Sequence, residues 1–246
     1  MCSTFYLCAL FFISFCYGIG AEKGEACQTE TLTDMSKKVN ELWLTMLHGI
    51  PIEKIPDRTI YATCHLQPNP KLATDDLQIT GQVLFKQTYP NEKLEAIFNL
   101  QGFPVDVNQT MRAMHIHNYG DLSNGCDSTG GHYNPLFKDH PGHPGDFGNF
   151  RVRNGKIQLH QTNLEATLFG PYTVLGRSIV VHKSADDLGK GGNQASLENG
   201  NAGPRLACCV IGSTTSSSWD KYIQENTSLK NPRLSRRVNN VRKVKN

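Results

Sequence analysis

His115-Ile116-His117 lies in a run of alternating character, and residues two apart on a strand project from the same face, so both imidazoles can reach one metal ion. Alone the pair is a weak signal, because two surface histidines on a strand are common. The case builds with His182 at the end of another extended run, and with His132, His140, His143 and Asp146 in one long stretch between them. Six of the nine histidines fall in these elements, which a random scatter of surface imidazoles does not explain.

Two donor sets separate by chemistry. The loop set offers three imidazoles and one carboxylate, which suits a tetrahedral Zn²⁺ with no open position. His115, His117, His182 and one shared histidine make an all-nitrogen set, which suits Cu(II) and can fall to three ligands as Cu(I). A histidine that serves both metals must lose both ring protons and bridge them. His132 is the candidate, being first in the loop set and closest in sequence to His115 and His117. His48, His65 and His160 lie outside the pattern and read as structural or solvated.

The elements that must carry these residues are short and β-rich. From about Thr59 onward, runs such as Gln78–Phe85, Ala113–His117, Lys156–His160, Ser178–His182 and Leu206–Ile211 alternate with Gly- and Pro-rich connections, as in a sandwich or barrel. Two stretches, roughly Tyr119 to Asn149 and Lys183 to Pro204, read as long loops, and loops of that length inside a compact domain are usually functional or disordered. Ahead of them, Leu32, Met35, Val39, Leu42, Met46 and Ile50 recur at spacings of three and four, with Trp43 and Leu47 widening the stripe. This predicts an amphipathic helix from Leu32 to Ile50, with Thr31-Leu32-Thr33-Asp34 at its start and Pro51 and Pro56 ending it. Such a helix either packs on the β domain or, given its near-heptad spacing, self-associates.

The ends of the chain bear on its compartment. Its 246 residues, 38% of them hydrophobic, suffice for one β domain with extensions at both ends. Residues 1–20 carry no charged side chain and include the apolar run Leu7–Phe15, a secretory leader cut near Gly20 in preference to a retained anchor, since the run is short for a bilayer. The expected mature chain is secreted and has no transmembrane segment. Five cysteines then remain, Cys27, Cys64, Cys126, Cys208 and Cys209, and adjacent Cys208 and Cys209 point to opposite faces of a strand, so they should reach different partners. Asn108 and Asn226 head N-glycosylation sequons. Near the C-terminus, Lys230, Arg233, Arg236, Arg237, Arg242, Lys243 and Lys245 face no acidic residue, and without these seven the 25 basic residues fall to 18 against 22 acidic. Positive charge concentrated in one appendage suggests a polyanion partner, with a solvated tail as the plainer alternative. The leader argues against nucleic acid as that polyanion.

The runs Ala113–Asp121, Gly131–Pro135, His140–Asp146, Val180–His182, Asp186–Asn193 and Gly200–Cys208 resemble the copper/zinc superoxide dismutases, with several motifs in order over roughly Thr59 to Gly212. The leader, the helix, Cys64, the Cys208-Cys209 pair and the tail make the chain most similar to the extracellular branch of that family. The resemblance implies an all-β fold, an eight-stranded antiparallel Greek-key β-barrel, with copper and zinc as cofactors and conversion of two superoxide anions and two protons to oxygen and hydrogen peroxide. It implies copper on His115, His117, His132 and His182, and zinc on His132, His140, His143 and Asp146. It further implies that Asp186 links a copper histidine to a zinc histidine, that Arg205 docks superoxide, and that Cys126 bridges to Cys208 and Cys64 to Cys209. Cys27 has no counterpart in that pattern. The expected partners are heparin or heparan sulfate and other copies of the chain, as dimer or tetramer. The expected organisation is a leader at 1–20, an extension with an oligomerisation helix at 21–58, the dismutase domain at 59–212 and a polyanion-binding tail at 213–246. Two rivals, a copper-storing module without turnover and a matrix protein with a structural barrel, leave either the complete ligand set with Arg205, or the ligands and Asp186, without a purpose.

Overall fold

Ile60, Ala62, Cys64 and Leu66 put every second residue of Thr59–Pro68 into the interior, and this strand, β1, lies near the middle of the sheet in the computed structural model. The structure describes residues 21–48, 54, 56–73, 75–89, 92–105 and 110–230. The expected leader, Asn108 and the basic residues from Arg233 to Lys245 lie outside them, as do the side chains of Cys27 and Lys230.

The further strands are β2 (Thr80–Thr88), β3 (Leu94–Gln101), β4 (Met111–His117), β5 (Ser123–Cys126), β6 (Asp146–Arg151), β7 (Lys156–Leu164), β8 (Ser178–His182), β9 (Arg205–Val210) and β10 (Gly212–Thr214). Eight of them pair in the order β6-β4-β8-β9-β1-β2-β3-β7, every pair antiparallel, and β10 adds to β1. The connection from β3 to β4 crosses between the two halves of this path, so the barrel is a Greek key. Its two ends, β6 and β7, are consecutive in sequence and joined by the turn at Asn154-Gly155. There Phe98 of β3 lies 5.4 Å from Phe147 and 4.6 Å from Phe150, ring to ring, and fills the seam. The result is a nearly closed barrel of eight antiparallel strands, the architecture that the resemblance implies.

Several elements go beyond the sequence reading. β6 begins at Asp146, inside the stretch read as loop from Tyr119 to Asn149, and β1, β3, β5 and β10 are not among the runs singled out above. Past β10, helix α3 (Ser217–Lys230) lays Trp219 against Leu84 and Ile97, with Tyr61 and Tyr222 packed alongside. The indole is flanked by Lys86, 5.9 Å from its ring, and by the His160 ring at 5.6 Å.

Helix α1 spans Ala21–His48, a compact unit apart from the one that begins at Glu53. It starts earlier than expected and runs straight through Thr31–Asp34, which corrects the predicted cap. Ala21–Glu30 holds no proline and several strong helix formers, so nothing stops the helix there, and Asp34 pairs with Lys38 one turn on at 2.6 Å instead of capping. Its apolar stripe is exposed: Leu32 is 66%, Leu42 61% and Met46 70% accessible. No helix among the described residues is long and apolar enough to cross a membrane.

β4 and β8 differ from the alternating strands. The last five residues of β4 and all five of β8 are buried, so both faces of these strands are covered. One face carries Met114, Ile116, Ile179 and Val181. The other carries His115 and His117, opposite Val180 and Ser178, with His182 two residues beyond Val180. Segments 119–145 and 183–204 lie over this second face and bring in the remaining polar residues.

Candidate metal centre

Six buried imidazoles and two carboxylates meet over that face, and each hydrogen bond they make fixes which nitrogen is left over. Main-chain carbonyls accept only, so the ring nitrogen facing one must be the N–H. His117 Nδ1 donates to Gly130 O at 2.9 Å and His182 Nδ1 to Gly203 O at 3.1 Å, which leaves Nε2 of each as a lone pair. His143 Nε2 donates to Lys138 O at 2.9 Å, which leaves Nδ1. Asp186 takes two such bonds, His115 Nε2 on one oxygen at 2.8 Å and His140 Nε2 on the other at 2.7 Å, so both of these rings turn Nδ1 inward. His132 alone has neither nitrogen hydrogen-bonded.

The freed atoms converge in two groups. His115, His117, His132 and His182 each bring one nitrogen within 4.8 Å of the others, and His115, His132, His140 and Asp146 do the same. Around Asp146, His132 Nδ1 lies at 3.2 Å, His140 Nδ1 at 2.9 Å and His143 Nδ1 at 3.1 Å. The first two are within ion-pair distance yet not aligned for a hydrogen bond, and Nδ1 of His115 and both nitrogens of His132 are likewise buried without a hydrogen-bond partner. Polar atoms in that condition are costly unless something other than a proton occupies the space between them. The donor chemistry fits the two metals: nitrogens alone on one side for copper, nitrogens with a carboxylate on the other for zinc. His143 stands outside the tight second group, where His115 takes its place, although its free nitrogen is aimed at the same carboxylate.

Electrostatics separates the halves. Burial first, then the charges of neighbouring imidazoles, pushes His182 down to about 3 and holds His117 well below the ordinary histidine value. Burial also brings His132 down to about 4, against the pull of Asp146. These rings are neutral at pH 7 and offer lone pairs. For His140 burial works downward, but Asp146 and Asp186 outweigh it and raise the group to about 9. Asp146 and Asp186 lie well below the carboxylate range because their histidine partners outweigh burial. The carboxylates of this half keep their charge, and a metal cation between its donors can take the place of the proton on His140.

The surrounding chain holds these groups in place. Asp186 also accepts Leu188 N on Oδ1 at 2.7 Å, and it leaves no room for a side chain at Gly200, where a Cβ would collide with that oxygen. Gly200 has φ +63 and ends helix α2 (Gln194–Asn199). Arg205 is held from four sides: Nη1 donates to Cys126 O at 2.7 Å, Thr129 Oγ1 at 3.0 Å and Asp127 O at 3.4 Å, and Nη2 to Gly130 O at 2.7 Å. Gly130 O is thus shared with His117, and the charge of Arg205 helps to depress both His117 and His182.

Two disulfides leave β9 on opposite sides. Cys208, opposite Val180, is bonded to Cys126 with a Cα separation of 5.7 Å, and Cys209 is bonded to Cys64 of β1 at 5.4 Å. The first joins the strand after Arg205 to the segment whose carbonyls hold it. Asn226 sits in α3 with its Nδ2 donated to Tyr222 O at 2.9 Å.

Sequence reasoning missed Asn149, which acts on this centre through main-chain contacts, and Arg177, which acts on it through a main-chain oxygen and an aromatic ring. Asn149 Nδ2 donates to Asp186 O at 2.8 Å, and the Arg177 guanidinium stands 3.7 Å from the ring of Tyr133, the residue after His132.

Residues 79–211 match the copper/zinc superoxide dismutase family. The chain is 48% identical over 204 residues to the extracellular superoxide dismutase [Cu-Zn] of Oryctolagus cuniculus, covering 83% of this chain and 84% of that protein. Against the human protein of the same name it is 48% identical over 204 residues, 83% of each chain. A superoxide dismutase [Cu-Zn] of Cryptococcus neoformans var. grubii is 45% identical over 145 residues, which cover 92% of that protein and only 56% of this one. The fungal likeness therefore concerns a barrel without the extensions, and the mammalian likeness reaches beyond it. The chain belongs to the copper/zinc superoxide dismutase family.

Proposed function

We infer that this chain is an extracellular superoxide dismutase in which copper is held by His115, His117, His132 and His182, and zinc by His132, His140, His143 and Asp146. The observation that carries this reading is His132, the one imidazole of the six with neither nitrogen hydrogen-bonded to the protein. A ring in that condition, between an all-nitrogen group and one containing a carboxylate, is suited to face a metal on each side.

The reaction is 2 O₂⁻ + 2 H⁺ → O₂ + H₂O₂. Bound copper supplies a one-electron couple, and bound zinc a fixed Lewis-acidic charge. The residues do the rest. His132 Nε2 can hold a proton while Nδ1 remains engaged on the zinc side, and that proton is placed to reach the second superoxide as it is reduced. Asp186 fixes the tautomers of His115 and His140 at once, so the orientation of one half is tied to the other. Arg205, permanently charged and pinned through its donors, attracts the anion and orients it without competing as a ligand.

The remaining assignments extend this reading. The exposed stripe of α1 suits self-association of the chain into a dimer or tetramer. Residues 21–58 then form the assembling extension, 59–212 the catalytic domain and 213–246 a segment that ends in a heparin- or heparan sulfate-binding tail, after a leader at 1–20. Asn108 and Asn226 are its glycan acceptors. Metal analysis of purified protein together with a superoxide assay tests the whole: one copper and one zinc per chain with catalytic turnover is expected, and a protein that binds copper without turnover would overturn it.

A further inference from the structure

We propose that Arg177 is a positioning residue for the copper half of the site, holding in one frame the three chain segments that bring in His117, His132 and His182. The inference rests on the assignment of these three histidines to copper.

The end of β4 is a fork. Up to His117 the strand pairs with β8, the last partners being His117 and Ser178. One residue on, the register would set Asn118 against Arg177, and the ladder does not continue. On its other edge the strand already pairs with the segment around His132, Tyr133 N donating to Ile116 O at 2.8 Å and Asn118 N to Gly131 O at 2.9 Å, and past the ladder Tyr119 N donates to Thr129 O at 2.9 Å. Arg177 O faces β9 and accepts Ile211 N at 2.8 Å. Asn118 N and Arg177 O thus point away from each other, toward the His132 segment and toward β9.

The Arg177 side chain spans the gap. Nη1 donates to Asn118 O at 2.8 Å, directly after His117, and Nε donates to Thr173 O at 3.1 Å in the turn before β8. The guanidinium carbon stands 3.7 Å from the centroid of the Tyr133 ring, directly after His132. Its own backbone leads through Ser178 to His182. One planar, rigid cation therefore touches the residue after His117 and the residue after His132, and it begins the strand that ends in His182. Guanidinium geometry allows two directed donors and a stacked face together, and an ammonium offers no such plane. Tyr133 and Asn118 are each one bond from a ligand residue, so a shift at either passes to the imidazole through a single Cα. The zinc-side residues His140, His143 and Asp146 come from another part of the loop and are not held by this contact.

The test uses the full chain loaded with copper and zinc, and separately with cobalt in the zinc half. Arg177→Met and Arg177→Lys are compared with wild type and with His117→Ala by electron paramagnetic resonance of Cu(II) and visible absorption of Co(II). Arg177→Met should change the copper spectrum, disturb the cobalt spectrum less because of the three histidines only His132 is shared with the zinc half, and lower turnover roughly 10-fold, as small misplacements of reacting groups do. Arg177→Lys, which keeps a cation and loses the fork, should fall between. A lower unfolding temperature with both spectra unchanged would overturn the positioning role, as would equal disturbance of copper and cobalt. Should Arg177→Met not fold, Arg177→Lys alone decides, since an unshifted copper spectrum there also overturns it. His117→Ala separates the two failures. A copper spectrum insensitive to His117→Ala sinks the ligand assignment and this inference with it, whereas sensitivity to His117→Ala without sensitivity to Arg177 sinks the inference alone.

Discussion

Asn149 and Asp186 hold each other through both ends of one side-chain amide: Asn149 Nδ2 donates to Asp186 O at 2.8 Å, and Asp186 N donates to Asn149 Oδ1 at 2.7 Å. Asn149 lies on β6, where that strand's register with β4 shifts, whereas Asp186 lies on the segment that lids the metal centre. The carboxylate that orients His115 and His140 is thus tied to the barrel by a neutral side chain, which adds no charge to compete with the histidines for Asp186.

Asn149→Ala should leave the main-chain N–H and C=O of a buried residue without these partners, at a cost of about 1–3 kcal/mol in stability. Because Asp186 then loses its fixed position, zinc retention should weaken by roughly 10–100-fold. Thermal unfolding of the metal-free protein and chelator competition for zinc measure the two effects. Wild-type zinc retention in a destabilised variant would show that Asp186 is held adequately by Leu188 N alone.

His132→Ala removes the ring whose two nitrogens, neither hydrogen-bonded to the protein, face the two donor groups. Dismutase activity should fall by roughly 10²-fold or more, and the copper spectrum and that of cobalt in the zinc half should both change. A change confined to one metal would mean that the two sites do not share this histidine.

Arg205→Ile removes the charge and the donors while keeping an apolar body of moderate size. kcat/KM for superoxide should fall roughly 10-fold with both metals still bound, and the rate should respond less to added salt because less attraction remains to be screened. Arg205→Lys should lie between. Pulse radiolysis at several ionic strengths decides: equal rate constants with equal salt slopes for wild type and Arg205→Ile exclude a guiding role.

Deleting residues 230–246 should lower the salt concentration needed to elute the protein from immobilised heparin and leave turnover intact, since counterion release scales with the number of basic contacts. Unchanged elution would mean that the tail is not the polyanion-binding segment.

A chain starting at Pro56 lacks α1 and should give an active barrel in a smaller assembly, because the exposed Leu32, Leu42 and Met46 side chains are gone. Light scattering compares the masses, and equal masses would place the assembly interface elsewhere.

The metal centre was legible in the sequence because its residues are rare types in diagnostic order: His115-Ile116-His117 on a strand, His132 through Asp146 in one loop, His182 at a strand end. The supports were less legible. Asn149 acts on main-chain atoms, which every residue possesses, and Arg177 on a main-chain oxygen and the face of Tyr133, so neither contact is marked by a ligand-type residue. β6 was hidden because Asp146-Phe147-Gly148-Asn149 reads as loop, and the strand forms through its pairing with β4 despite that local composition. Helix α1 was cut short for a related reason: Thr31–Asp34 has the makeup of a cap, and the favourable residues before it carry the helix through. Trp219 gave no periodic signal, since its burial depends on Leu84 and Ile97, far away in the chain.

The packing of α3 sets where any tether to a surface would start. Trp219 fastens the end of the described chain to Leu84 of β2 and Ile97 of β3, and these strands lie about halfway round the eight-strand path from β4 and β8. If the tail holds an extracellular polysaccharide as proposed, a tether starting from that side would leave the metal mouth turned toward open fluid. Superoxide can then approach along the unobstructed side, and the peroxide produced diffuses away from the mooring instead of into it.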